Sequence, residues 1–100
     1  MKVVFHCNHS EDFPMVKSNI KNLQKFDDIK KIIILINGPA ITLVHEDLSD
    51  FEDVRIEVCM NSLKSHDIDV ESLADYYKPV ESGVYRLAQL HRQGFASIKP

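Results

Sequence analysis

The chain has 100 residues, of which 44% are hydrophobic and 27% charged, and it carries a formal net charge of −3 at neutral pH. This is enough apolar content for one core, so a single domain spanning residues 1–100 is expected, with no repeats and no low-complexity sequence. The acidic balance argues against nucleic acid as a primary partner, since phosphate neutralisation needs clustered Lys and Arg, and the longest apolar run, Ile32–Ile36, is far too short to span a membrane.

A strand, Lys2–Cys7, follows Met1 at once, so no signal or transit peptide is expected in front of it. Two cysteines do not make a secreted disulfide framework, and the expected location is cytoplasmic. A helix then starts near Asp12 or Phe13, tolerates Pro14 in its first turn and runs to about Phe26. Phe13, Val16, Ile20 and Leu23 form one stripe of it, while Lys17, Lys21 and Lys25 face away. The second strand, Lys31–Ile36, is an unbroken run of mostly β-branched residues, as in a parallel strand covered on both faces. Asn37-Gly38-Pro39 is a turn signal, and Ala40–His45 a short helix. The acidic stretch Glu46–Asp53 reads as a solvated loop pinned to the core by Leu48 and Phe51.

The third strand, Val54–Cys59, alternates Val54, Ile56 and Val58 against Arg55, Glu57 and Cys59, and the following MNSLKSH reads as helix. Cys59 therefore falls at a strand-to-helix junction, where unpaired backbone N–H groups and the partial positive charge of a helix start favour a thiolate. Plain packing of a small hydrophobe is the competing reading. Met60–His66 and Val70–Tyr77 form one helix broken near Asp67 or two short ones, with Asp67 or Asp69 as N-cap of the second part. A short fourth strand lies around Pro79-Val80. Ser82 caps the last helix, in which Val84, Leu87, Ala88 and His91 share a face and Gly94 closes the end, and Phe95–Ile98 is the fifth strand.

Strands separated by helices imply an α/β, single-domain, three-layer sandwich with a five-stranded, mainly parallel sheet, and a flavodoxin-like order 2-1-3-4-5 is the simplest arrangement. Ligands in such sheets gather outside the carboxyl ends of the strands where the order reverses, here between strands one and three. The polar residues at those ends nominate Cys59 as the reactive group and His6, Asn8, Asn37, Gly38, Asn61, Ser82 and Gly83 as the pocket around it. His6, on a strand expected beside strand three, can hold a proton or donate to a sulfur anion, or serve structure alone. Asn37 and Asn61 can line the pocket or cap their turns.

Cys7 reads as a resolving thiol within disulfide range of Cys59 or as a packed side chain, because alternation can put the two on opposite faces. His6, Cys7, His9 and Cys59 offer zinc-ligand types without the paired spacing of a structural site, so no metal is assigned. No G-x-G-x-x-G, Walker-type or G-x-S-x-G motif occurs, and no organic cofactor is expected. The Arg55/Glu57 face, together with Leu90, Tyr76, Tyr77 and Tyr85 outside the main apolar stripes, suggests a surface covered by another subunit.

The segments VVFH, NGPA, IEVCMNSLKSHDID and PVESGVYRLAQLHRQGFASIKP together resemble the DsrE/DsrF-like family of small cytoplasmic proteins, which includes sulfur-relay subunits. The resemblance covers nearly the whole chain. It implies a compact α/β domain assembling into trimers or hexamers and, in active members, one cysteine after the third strand that carries sulfane sulfur as a persulfide. That position is Cys59, in the pattern strand-Cys-x-x-x-Leu with Leu63 in place. The expected function is thus a sulfur carrier or sulfurtransferase-relay subunit exchanging sulfur with donor and acceptor proteins, without metal or organic cofactor. The alternative is a non-catalytic oligomeric small-molecule-binding or regulatory module of the same fold.

Overall fold

The sheet is built outward from its most apolar strand. The computed structural model describes all of residues 1–100, and in it β2 (Lys31–Ile36) lies at the centre, with Ile32 through Ile36 each 4% exposed or less. β2 pairs with β1 (Lys2–Cys7) on one side and with β3 (Val54–Cys59) on the other. The two shortest strands, β4 (Tyr77–Val80) and β5 (Phe95–Ile98), form the edges, giving an all-parallel order β4-β3-β2-β1-β5. Both edge strands expose their two middle residues, and β4 carries Pro79, which an edge accommodates because it need not donate to a second neighbour.

The expected order 2-1-3-4-5 is therefore corrected. It would have placed β2 at an edge and left part of a five-residue apolar run open to water, forfeiting roughly 1.5–3 kcal/mol for each large side chain uncovered. The expected switch point is corrected with it. β1 and β3 are not neighbours, and the reversal of order falls between β1 and β5.

This order also explains the layers. Steps from β1 to β2, β3 and β4 run in one direction, so their right-handed crossovers share one face, and the return from β4 to β5 must cross the other. On the first face, α1 (Phe13–Leu23), a 3-10 helix over Gly38–His45 and α2 (Met60–Ser65) cover Val3, Phe5, Cys7, Ile32, Ile34, Ile36, Ile56 and Val58. On the second, α3 (Gly83–Arg92) alone covers Val4, Ile33 and Leu35 through Leu87 and Leu90. No helix is long and apolar enough to cross a membrane.

Several boundaries differ from expectation. α1 stops at Leu23 rather than Phe26, and the segment after Asn37 is 3-10 rather than α-helical. Beyond α2 the chain makes only a 3-10 turn, Val70–Ser72, with the Asp69 carboxylate accepting from the Glu71 N–H, and Tyr77 belongs to β4. The inner face of α3 is also different: Leu90 is fully buried, whereas Val84, Ala88 and His91 point to solvent. Leu48 does pin the acidic loop, 6% exposed, with Phe51 edge-on to Phe13 at 5.9 Å.

The surface expected to meet another subunit is largely used inside the chain. Tyr77 is buried with its hydroxyl shared between the carbonyls of Leu43 and Glu46, and the Tyr76 hydroxyl accepts from the Leu48 N–H. Glu57 is fully buried and held by arginines of its own chain. Of the residues invoked for that surface, Tyr85 stays well exposed, at 63%, beside Val84 at 72%.

Candidate functional site

Register brings the carboxyl ends of the three central strands level. Cys7 pairs with Ile36 and Ile36 with Val58, so Asn8, Asn37 and Cys59 are the first residues past a common line. Alternation then sorts them. Arg55, Glu57 and Cys59 face α3, as the period-two pattern of β3 required, while Cys7 faces the α1 side within the larger core cluster. The two cysteines are both free, end strands separated by β2 and look toward opposite faces, so a Cys7–Cys59 disulfide is excluded without unfolding. No group of three or more His, Cys, Asp or Glu side chains converges closely enough to hold a metal ion.

Cys59 is 5% exposed and is the N-cap residue of α2. Its Sγ accepts the N–H of Gly83, the first residue of α3, at 3.3 Å. Two helix starts thus meet at one sulfur. The backbone N–H groups of Asn61 and Ser62 are aimed at it without closing a capping hydrogen bond, and the Ser62 hydroxyl faces it as well. That hydroxyl accepts the Gly38 N–H at 2.8 Å, which leaves its proton free to point at the sulfur. Burial acts to raise the pKa of the thiol. Donation from the Ser62 hydroxyl and from the Ser62, Gly83 and Asn61 N–H groups outweighs it and holds the thiol below its ordinary value.

The remaining expected residues divide by role. Gly83 is buried against the site, and a Cβ there would stand 3.1 Å from Asn37 Cβ, 3.2 Å from Asn37 Nδ2 and 3.3 Å from Cys59 Cβ, so only glycine lets α3 approach this closely. Ser82 caps α3 by accepting the Tyr85 N–H at 3.2 Å. Asn37 is at the N-cap of the 3-10 helix but makes no side-chain capping bond; its Oδ1 instead lies 2.9 Å from His6 Nε2. His6 reaches the site through Asn37, not from a strand beside β3 as expected, because β2 intervenes. Gly38 adopts φ +57°, the left-handed conformation that glycine takes at least cost. The Asn8 side-chain carbonyl oxygen is buried without a partner, while its backbone oxygen accepts the Ala40 N–H. Asn61 contributes its backbone; its side chain is on the exposed surface of α2.

Two features escaped the sequence reading. Ser62 was not singled out, although Cys-x-x-Ser across a helix start places a hydroxyl at the third helical position, where a cap residue meets it. The second is the carboxylate of Glu57, two residues before Cys59 on the same face. It accepts from Arg86 Nε at 2.8 Å and Nη2 at 3.0 Å, and from Arg55 Nε at 2.8 Å. Burial acts to raise its carboxyl, but donation from Arg86 and Arg55 dominates and keeps it below the usual carboxylate range. This bidentate pair fastens α3 to β3 and so holds the Gly83 N–H over the sulfur. Beside that corner, Met60, Asn61, Lys64, Glu81, Ser82 and Tyr85 line a groove of about 430 Å³.

No family model and no curated protein sequence matches the chain. Among solved structures, it is similar to a protein of unknown function from Methanobacterium thermoautotrophicum, with a TM-score of 0.89 and 24% identity over 99% of this chain and 98% of that one. A likeness at that identity shows the fold alone, and it extends over the whole domain.

Proposed function

We propose that the chain is a sulfur carrier of the DsrE/DsrF-like kind, in which Cys59 holds sulfane sulfur as a persulfide and passes it to an acceptor thiol. The observation that carries this reading is the set of donors around Sγ: the Gly83 N–H at 3.3 Å, the Ser62 hydroxyl and the N–H groups that open α2. A cysteine serving only as packing has no use for them, whereas a thiolate or persulfide anion does.

The exchange needs no outside oxidant. The Cys59 thiolate attacks the outer sulfur of a donor persulfide R–S–SH; the new S–S bond forms as the donor's breaks, and R–S⁻ leaves with the electron pair. The outer sulfur then loses its proton to solvent, leaving Cys59–S–S⁻, and an acceptor thiolate takes that sulfur by the reverse chemistry. With Cys59 5% exposed, exchange with a donor requires local opening around it, and the groove edged by Met60 and Tyr85 lies beside the same two helix starts. Self-association as a trimer or hexamer belongs to the same reading, with Val84 and Tyr85 as its exposed apolar contact; a solution mass of 11.5 kDa at micromolar concentration would remove that part.

The test is intact-protein mass spectrometry after incubation with a persulfide donor. The reading expects a gain of about 32 Da that is sensitive to dithiothreitol, lost in Cys59→Ser and kept in Cys7→Ser. No adduct on the wild type, or an adduct that survives Cys59→Ser, sinks it.

A further inference from the structure

The Asn37 side chain and Cys59 both pack against Gly83, the first residue of α3. Asparagine is favoured at N-caps because its oxygen accepts the N–H groups that open a helix, yet here it makes no such bond. The first of those N–H groups, on Gly38, goes to Ser62 Oγ instead. Asn37 Oδ1 lies 2.9 Å from His6 Nε2, and a carbonyl oxygen can only accept, so this pairing goes with the ring tautomer protonated on Nε2. In that tautomer the amide nitrogen is directed away from the ring. Asn37 Nδ2 makes no hydrogen bond within the chain, and both it and Cys59 Cβ pack against Gly83, standing 3.2 and 3.3 Å from where a Cβ on that glycine would lie.

The resting sulfur already has its own donors in Gly83, Ser62 and the opening of α2. A second sulfur is displaced from Sγ by about 2 Å and leaves those donors behind. The geometry points to the Asn37 amide as the hydrogen-bond donor to the outer sulfur of the Cys59 persulfide, with His6 as the positioning residue that holds the amide in that orientation. The proposal rests on the carrier reading above, and it divides the labour within the site. Backbone groups stabilise the inner sulfur, and one side chain recognises the transferred atom.

The experiment measures two quantities in each variant: the rate at which iodoacetamide alkylates the unloaded Cys59 thiol, and the equilibrium for loading against a low-molecular-weight persulfide donor, read by intact mass. Asn37→Ala is expected to weaken loading by about tenfold to a hundredfold, the loss of one hydrogen bond to an anion, while alkylation of the unloaded thiol changes less than about twofold. His6→Ala is expected to weaken loading in the same direction by a smaller factor. His6→Gln, which keeps an N–H to offer Asn37 Oδ1, is expected to restore it. A parallel loss of alkylation and loading would make Asn37 a packing residue and overturn the proposal, as would undiminished loading in Asn37→Ala when the wild type loads normally. A wild type that takes up no sulfur would instead overturn the carrier reading, and this inference with it.

Discussion

Two strands flanking the centre of the sheet each end in a cysteine, and both sulfurs are nearly hidden, with Cys7 at 0% and Cys59 at 5% exposure. They are nonetheless opposite in chemistry. Cys7 meets an acceptor: its S–H donates to the His9 carbonyl at 3.5 Å, and burial, helped by Asp12 and Glu11, pushes it up to about 11. Cys59 meets only donors and is held below the ordinary thiol value. The two thiols are displaced in opposite directions because burial dominates at Cys7, whereas at Cys59 the donors past the strand end outweigh it. The two faces of the sheet repeat the contrast, one a continuous apolar core under α1, the other carrying a buried carboxylate between two arginines under α3.

The polar face is most easily broken at Glu57. Glu57→Ala leaves the guanidinium of Arg86 partly buried without its partner, a change that costs about 3 kcal/mol, the lower end of the range for breaking a buried pair because Arg86 and Arg55 retain some contact with water. Urea denaturation is the check, with Glu57→Leu combined with Arg86→Met expected to recover most of the loss. The pair also gives that face a pH dependence. The folded carboxyl lies below its unfolded value, so its contribution is fully present above the ordinary carboxylate range and is lost as pH falls through the folded value, placing the decline below about pH 4.5. A stability loss of less than about 1 kcal/mol in Glu57→Ala would mean that the two faces do not differ energetically.

The cysteines themselves give the next largest effect. At pH 8 a thiol displaced to about 11 is ionised in only about one part in a thousand, so Cys59 should outpace Cys7 in alkylation by about a hundredfold or more. Single-cysteine variants, Cys7→Ser and Cys59→Ser, separate the two rates by mass spectrometry. Comparable rates would erase the distinction between the sites.

Much of this contrast was legible in the sequence. The alternation of β3 puts Arg55, Glu57 and Cys59 on one side, and the junction at Met60 gives Cys59 its helix start. KIIILI signalled a doubly covered strand, and that same signal, pressed further, argues for the centre of the sheet; the flavodoxin-like order set it aside. The order could not be read because it depends on which crossovers return, and that is decided by pairing between segments far apart in the chain. For the same reason the partner of Glu57 was missed: Arg86 is 29 residues away, and its approach depends on α3 lying alone on the second face. An Arg/Glu pattern on a parallel strand therefore reads as an interface when the covering helix cannot be placed. The rotation of α3 went astray because Leu90, not Val84 or Ala88, is the anchor, and Gly83 is drawn against Cys59 at the helix start.

Gly83→Ala tests how closely the second face must pack. The added methyl would meet Asn37 Cβ and Cys59 Cβ at 3.1 and 3.3 Å, neither of which is the end of a flexible chain, so α3 must move. A stability loss of about 1–3 kcal/mol is expected from overpacking. Alkylation of Cys59 at pH 7 should slow at the same time, since the displaced Gly83 N–H no longer favours the thiolate. Unchanged alkylation with lowered stability would show that the thiol owes its acidity to α2 alone.

The smallest effect offers the cleanest control, because the chain contains two capping bonds of similar geometry on opposite faces. Ser82 accepts the Tyr85 N–H at 3.2 Å at the start of α3, and Asp69 accepts the Glu71 N–H at 3.0 Å in a turn whose Val70 packs into the α1-side core. Removing either cap as alanine should cost on the order of 1 kcal/mol. Only Ser82→Ala loosens the turn that presents the Gly83 N–H to Cys59, so only that variant should shift the pH midpoint of Cys59 alkylation upward, by a fraction of a unit. If Asp69→Ala moved the midpoint equally, the acidity of Cys59 would follow global stability, and the two helix starts would not be the reason that the two buried thiols are displaced in opposite directions.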